Sequence, residues 1–416
     1  MQKNKNHINK DIERLMPALQ EKRVDLNLKR VQIALKEMGE PCKRIPAIQI
    51  AGTNGKGSIA SFLKASLQYL GINAGIATSP HLVSWCERIC TTQDVISEDE
   101  LKSILIKLQP FIKKNHLTPF ESLIAASLDY FNSKKVDLIV LEVGLGGRLD
   151  ATTAHPYRPI IAMAGIGLDH CEYLGNSLTA ITKEKASIIG ENSIVISAQQ
   201  HPEVEEVLRD EVAKKNASLH FVPPLSTKWI LGLPGEIQTH NAAVAKRALE
   251  ALKHFGWTID ESKVKEGFAN ASWPGRFQRV TWNNFSIFID CAHNPHAANQ
   301  LSKEREGWEG HELGVNWILG IQTHKDAPKI ISSLLKQNDL AWITPIPGAL
   351  SWKREEISAI SPNHLKQMIE VESVEDALSM IFGKEHDHHT PITVITGSIY
   401  LIGDLIERQV INFSKN

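Results

Sequence analysis

Residues 48–67, IQIAGTNGKGSIASFLKASL, run from an apolar, β-branched segment through a turn with three glycines into a helical pattern. This stretch restricts the fold more than any other. A common phosphate loop reads G-x-x-x-x-G-K-[ST]. Gly55 and Lys56 supply its GK, but Ile50 stands where the first glycine is due, and Gly57 separates Lys56 from Ser58. The chemistry of a phosphate cradle survives this altered spacing. Gly52, Gly55 and Gly57 permit unusual φ values and close backbone approach. Successive N–H groups then point at a phosphate, and the following helix adds its positive end. Lys56 neutralises charge on the β and γ phosphates. The competing reading is a plain Gly-rich turn; the flanking strand and helix favour phosphate.

The rest of the first half alternates between strand-like and helical runs. INAGIAT, VDLIVLEV, PIIAMAGIG and SIVISA read as strands. SEDELKSILIKLQPFIKKN opens with a Ser cap and acids, as a helix start should, and PFESLIAASLDYFNSK is a further helix. Alternation of this kind predicts a parallel sheet covered by helices. A second unit begins near WPGRFQRVTW, where FSIFID, NWILGI, LAWITPI and PITVITG are strand-like. The expected boundary lies near residue 275, giving domains 1–275 and 276–416, the second within the usual domain size.

A 416-residue chain with 42% hydrophobic residues has material for more than one core. Its net charge of −1 gives no argument for nucleic acid or an anionic membrane. The polar N-terminus lacks a signal-peptide core, and no run of about 18 apolar residues suggests a membrane span. Five cysteines without a C-x-x-C pair indicate neither a disulfide framework nor a zinc site. A reducing cytoplasm is the expected setting.

Several residues stand where open α/β sheets bind ligands. Glu142 ends the run DLIVLE, at the expected carboxyl edge, and an acid there can hold Mg2+ beside a nucleotide. Alone it reads equally as a solvent-facing strand end, but the Gly-rich GLGGRLDA that follows favours function. Arg148 and Asp150 on that turn read either as site residues or as a surface pair. His170, taken alone, is a structural or solvated histidine, and Ser79 an ordinary turn serine before proline. In FIDCAHNPHAANQL, Asp290 ends a strand, Asn294 is a plausible N-cap and Pro295 fits the first helical position. His386, His388 and His389 in KEHDHHT read as a solvated loop rather than a metal site. The tryptophans are scattered and suit packing.

Together, AGTNGKGS, TSPHL, ERI, FES, LEVGLGGRLDAT, LDHCEYLG, KEKASI, HNAAVAKRAL, WPGRFQ, DCAHNPHAA and TGSIYLIGDL occur in one order through nearly the whole chain. The set resembles the folylpolyglutamate synthase and dihydrofolate synthase family, relatives of the Mur ligases. The first loop is shared with Mur ligases, whereas GLGGRLDAT, PGRFQ and DCAHNPHAA are more specific to the folate branch. The resemblance implies an α/β fold: a P-loop, Mur-ligase-like domain with a mostly parallel sheet, plus a smaller C-terminal Rossmann-like domain. It implies ATP-phosphate contacts from Asn54, Gly55, Lys56, Gly57 and Ser58, and nucleotide contacts from Asn241, Arg276 and Asp290. Ser79, Glu142 and His170 match magnesium-holding positions. Lys185 matches a lysine carbamylated in many members. Thr118, Phe120 and Glu121, with Leu149, Asp150 and Ala151, match segments lining a pterin-side pocket. His293 and Ser398 match the phosphate and glutamate side, and Lys56, Lys185 and His293 form the implied catalytic set.

By this resemblance the reaction joins L-glutamate to dihydropteroate and to reduced folates through an acyl phosphate. ATP and Mg2+ are required, with room for a monovalent cation. The partners are these small molecules, without nucleic acid or membrane, and a monomer is expected. Departures from the family pattern are Pro119, Ile124, Thr153, Cys171, Glu172, Tyr173 and His324; none removes a proposed metal or phosphate ligand. A polyglutamylating enzyme without the first activity is the nearest rival, ahead of a Mur-type peptide ligase. A GTPase-like switch would want an N-K-x-D stretch, which is absent. A folate-binding module would not need the phosphate loop.

Overall fold

The computed structural model describes residues 11–17, 27–383 and 391–413. His386, His388 and His389 lie outside them. The chain divides into two compact units, Met1–Leu233 with Gln238–Ser272, and Pro234–Ile237 with Trp273–Asn416. Among the described residues, no helix is long and apolar enough to cross a membrane.

The first unit is built on seven strands: β1 (Ala47–Ala51), β2 (Ala74–Ala77), β3 (Ile89–Thr91), β4 (Leu138–Glu142), β5 (Ile160–Met163), β6 (Ile194–Ala198) and β7 (Ser218–Val222). Their order is β3-β2-β4-β1-β5-β6-β7, parallel except for the β2–β3 pair. β1 and β4 are buried along their whole length, which is why both read as unbroken apolar runs. From β1 the chain builds β2 and β4 on one side, then β5, β6 and β7 on the other. The carboxyl ends of β4, β1 and β5 therefore flank the point where strand order reverses, the usual ligand position in such sheets.

Helix starts follow local chemistry. Ser97 and Glu100 form a capping box before Glu98–Asn115, and Thr118 and Glu121 form another before Pro119–Ser133, with Pro119 at the first turn. These two helices pack with Leu28–Glu37 and with Ile139 and Leu141 of β4. A second cluster joins Ile161, Met163 and Val195 to helices Leu178–Ala186 and Pro202–Lys214. Parallel register aligns Leu141, Gln49 and Ile161 across one row. Gln49 is thus a fully buried polar residue between two apolar clusters.

The second unit holds β8 (Gln278–Trp282), β9 (Phe285–Ile289), β10 (Val315–Leu319), β11 (Leu340–Ile343), β12 (Met368–Glu370), β13 (Ile392–Thr396) and β14 (Asn412–Phe413). The order is β12-β11-β10-β13-β9-β8-β14. The first five run parallel, and β8 pairs antiparallel with β9 and β14. Asn283 and Asn284 take positive φ between β8 and β9, as the preferred two-residue hairpin turn demands. The core gathers Trp317, Leu319, Ile330, Ile331 and Val394.

Strand ends account for the main local differences from the sequence reading. PIIAMAGIG contains a strand only as far as Met163; Gly165 and Gly167 beyond it bond the phosphate loop. The short strands β3, β12 and β14 carry too few residues for a period-2 signal.

Candidate active site

The phosphate loop leaves the carboxyl end of β1 between two neighbours. Val143 N–H donates to Ile50 O, and Ala164 N–H donates to Ala51 O. Gly52 takes φ 139°, and a Cβ there would lie 2.7 Å from that of Ala164. Thr53 and Asn54 N–H both donate to Gly165 O, and the Thr53 hydroxyl donates to Gly167 O at 2.9 Å. Gly55 (φ 96°) is the N-cap of helix Lys56–Leu70, and a side chain on it would overlap Asn241. Asn241 is itself buried, donating to Gln238 Oε1 at 3.0 Å. So Gly55, Lys56, Gly57, Ser58 and Asn241 converge. The Lys56, Gly57 and Ser58 N–H groups belong to the first turn, where a helix offers no carbonyl partner.

Two lysines meet at this loop. Lys56 Nζ donates to Gly52 O at 3.3 Å and Thr53 O at 3.2 Å. Lys185 Nζ, 6% exposed, donates to the same Gly52 O at 2.9 Å. Burial lowers the Lys185 pKa to about 7, and the Lys56 cation pushes the same way. Ser58 is fully buried, and its Oγ has no hydrogen-bond partner.

Glu142 is 3% exposed, which removes the solvent-facing reading of this acid. Ser79 N–H donates to its Oε2 at 3.1 Å, so β2 and β4 bring these two together. His170 follows β5 on the segment that bonds the phosphate loop. Its backbone is left-handed, φ 50°; its ring lies 3.8 Å from Asp169 and 3.9 Å from Glu172. Among the described residues, no group of three or more His, Cys, Asp or Glu gathers as a metal cluster. One carboxylate, hydroxyls and phosphate oxygens still suit Mg2+, which keeps several waters. The partnerless Ser58 hydroxyl, opening the phosphate helix, fits such an ion.

The Gly-rich turn after β4 corrects one alternative. Arg148 pairs with Glu184 at 3.2 Å, not with Asp150. Asp150 points inward, accepting from Gly144 N–H at 2.9 Å, Leu145 N–H at 3.0 Å and both Thr152 donors. Burial raises its pKa, against those four bonds. Phe120 packs over this turn: a Cβ on Gly144 would lie 2.7 Å from its ring. Thr118 and Glu121 are engaged in their capping box, and Glu121 also accepts from Arg30 at 3.1 Å. Leu149 is half-buried and Ala151 buried. The carboxylates of Glu121 and Asp150 therefore hold the helix start and the turn after β4 in shape.

Gln49 is a contributor that motif reading missed. It donates to Thr152 and Thr153 at 2.9 and 3.0 Å and accepts from Arg158 at 2.5 Å. The available signal was a lone amide inside the apolar run AIQIA. Similarly, Arg88 Nε donates to His81 Nδ1 at 2.8 Å and sits 4.8 Å from the Trp85 ring, bracing the loop after Ser79.

In the second unit, Asp290 follows β9. Its carboxylate accepts from Phe277 N–H at 2.9 Å and Ala292 N–H at 2.8 Å. Desolvation raises its pKa, opposed chiefly by the Arg276 charge. His293 Nδ1 lies 2.8 Å from Cys291 O. Asn294 caps helix Pro295–Glu304, with Pro295 at its start, as the sequence suggests. Ser398 is 2% exposed and caps helix Ile399–Glu407. Gly397 N–H and the Thr396 hydroxyl both donate to Ala292 O, so the His293 and Ser398 segments leave neighbouring parallel strands side by side.

The family model described as "Dihydrofolate synthetase, C-terminal domain" matches residues 275–408. A probable dihydrofolate synthetase from Schizosaccharomyces pombe is 30% identical over 92% of this chain and 98% of its own. A Mycobacterium tuberculosis folylpolyglutamate synthase complexed with ADP superposes with TM-score 0.87 at 28% identity, covering 97% of this chain and 98% of its own. A bifunctional folylpolyglutamate synthase/dihydrofolate synthase from Yersinia pestis, complexed with AMPPNP and Mn, gives TM-score 0.82 at 25% identity, covering 94% and 95%. With a phosphate loop of this spacing, an acid at the β4 edge and relatives matched over nearly their full length, the chain belongs to the dihydrofolate synthase and folylpolyglutamate synthase family.

Proposed function

We propose that this chain is an ATP-dependent ligase that joins L-glutamate to dihydropteroate and extends reduced folates with further glutamates. The observation that carries the reading is the loop at residues 52–58, which brings together first-turn N–H groups, Lys56 and the partnerless Ser58 hydroxyl after β1, whose Ile50 pairs with Glu142 of β4. A carboxylate is a poor acylating agent. Transfer of the ATP γ-phosphoryl group to a substrate carboxylate oxygen breaks the β–γ bridge, releases ADP and leaves an acyl phosphate. The glutamate amine then attacks the acyl carbon, the C–N bond forms, the C–O bond to phosphate breaks and the amine loses a proton.

Lys56 and the first-turn N–H groups stabilise charge on the transferring phosphoryl group. Ser58, Ser79, Glu142 and His170 would hold Mg2+, with Asn54 and Asn241 bordering the nucleotide. When bound, the ion neutralises phosphate charge. Phe120 and the 144–151 turn would border the pterin. In the second unit, Arg276 and Asp290 are assigned to the nucleotide, and His293 and Ser398 to phosphate and glutamate. Lys185, with a pKa of about 7 beside another cation, is suited to carbamylation. The modification would replace a repelling ammonium with an anion next to Lys56, and bicarbonate-dependent activity with a matching intact-mass shift tests it.

ADP formation with ATP, Mg2+, dihydropteroate and L-glutamate, compared with omission of glutamate, tests the main reading. Glutamate-dependent ADP with dihydrofolate as product is expected; absence of both with every folate substrate overturns it. The dihydrofolate synthetase name of the fission-yeast relative favours a narrower second reading, in which chain extension is absent. Failure to elongate a tetrahydrofolate substrate would select it. Elongation without dihydrofolate synthesis would instead select a polyglutamylating enzyme.

A further inference from the structure

The β8–β9 ladder ends at Gln278 opposite Ile289. In an extended chain, residue 277 would next face residue 290. Phe277 instead takes φ 40°, a left-handed backbone that a bulky residue adopts only when its surroundings enforce it. The enforcement is visible. The Phe277 ring stacks on Phe288 at 4.6 Å and 3°, and on Trp308 at 4.1 Å and 15°. Both of its faces are taken, so it is not a platform for a base. The turned backbone sends Phe277 N–H to the Asp290 carboxylate at 2.9 Å. It also starts the segment that carries Arg276, whose charge acts on that carboxylate.

We propose that Phe277 is a positioning residue for the nucleotide: its ring, clamped between Phe288 and Trp308, fixes a left-handed backbone that sets Asp290 and Arg276. This rests on the assignment of Arg276 and Asp290 to the nucleotide. The ring touches no substrate; it acts through the two residues it orients. Small misplacements of such groups are costly in binding and rate.

The test measures ADP affinity by calorimetry, and KM for ATP and for glutamate, in the full-length protein. Phe277→Leu should weaken ADP binding and raise the KM for ATP about tenfold, with the glutamate KM little changed. Phe277→Tyr keeps the stack and should restore both values. Phe277→Gly accepts φ 40° without a ring and should remain impaired, because nothing then holds that conformation. Wild-type ADP affinity in Phe277→Leu or Phe277→Gly overturns the proposal, as does an equal change in every KM. Arg276→Ala and Asp290→Asn separate the levels. If these two lose ADP affinity and Phe277→Leu does not, only the positioning role fails. If neither loses affinity, the nucleotide assignment falls and the proposal with it.

Discussion

Ser58 and Lys56 show how single residues divide between fold and function. A buried hydroxyl without a partner costs about 1–3 kcal/mol, and the Ser58 Oγ has none. Folding alone does not favour it. Ser58→Ala should leave Tm unchanged or raised, while the Mg2+ concentration for half-maximal ADP formation rises several-fold. A lowered Tm with an unaltered Mg2+ titration would assign the hydroxyl to packing. Lys56→Ala removes the loop's cation, so ligation should fall about 10²-fold or more at nearly constant Tm. Near-normal turnover would sink the loop assignment.

At the scale of elements, the start of helix Pro119–Ser133 couples a local rule to a distant partner. Thr118 caps it, and losing such a cap costs about 1 kcal/mol. Glu121 completes the box and also pairs with Arg30, whose side chain is 13% exposed. Removing one member of a buried pair costs about 3 kcal/mol or more. Denaturant melts should therefore place Glu121→Ala below Thr118→Ala in stability. The reverse order would show that the Arg30 pair contributes little. The same element brings Phe120 to Gly144, so capping and the turn after β4 are linked by geometry.

At the scale of the molecule, Pro234–Ile237 packs with the second unit while the chain on either side packs with the first. Glu304 holds this segment, accepting from Ile237 N–H at 3.1 Å. Burial raises the Glu304 pKa from 4.5 to about 7, with Asp290 and Glu236 adding repulsion. The folded state therefore binds a proton more tightly than the unfolded state. The group's contribution is full below about pH 4.5 and is lost as pH rises through about 7. Glu304→Gln keeps an acceptor for Ile237 and stays neutral. Its stability should match wild type near pH 5 and exceed it near pH 8, read from denaturant midpoints at both values. Equal midpoints at pH 8 would show that the carboxyl is not held against its charge.

Much of the strand and helix order, the caps at Ser97 and Asn294, and the strand–turn–helix form of the phosphate loop were legible in the sequence. Each is encoded within a few residues by period, cap or glycine spacing, and so needs no distant partner. The position of Glu142 at a strand's carboxyl end was legible for the same reason. Its burial and its bond from Ser79 were not, because they depend on β2 and β4 becoming neighbours. Tertiary structure likewise turned Asp150 inward and Arg148 towards Glu184, buried Gln49 between apolar clusters, and brought Lys56 and Lys185 to one carbonyl. It also enforced the left-handed Phe277 through two rings far along the chain. Local sequence determined what each segment becomes; only the packing of sheets decided which charges and hydroxyls meet, since those pairs join residues that periodicity cannot relate.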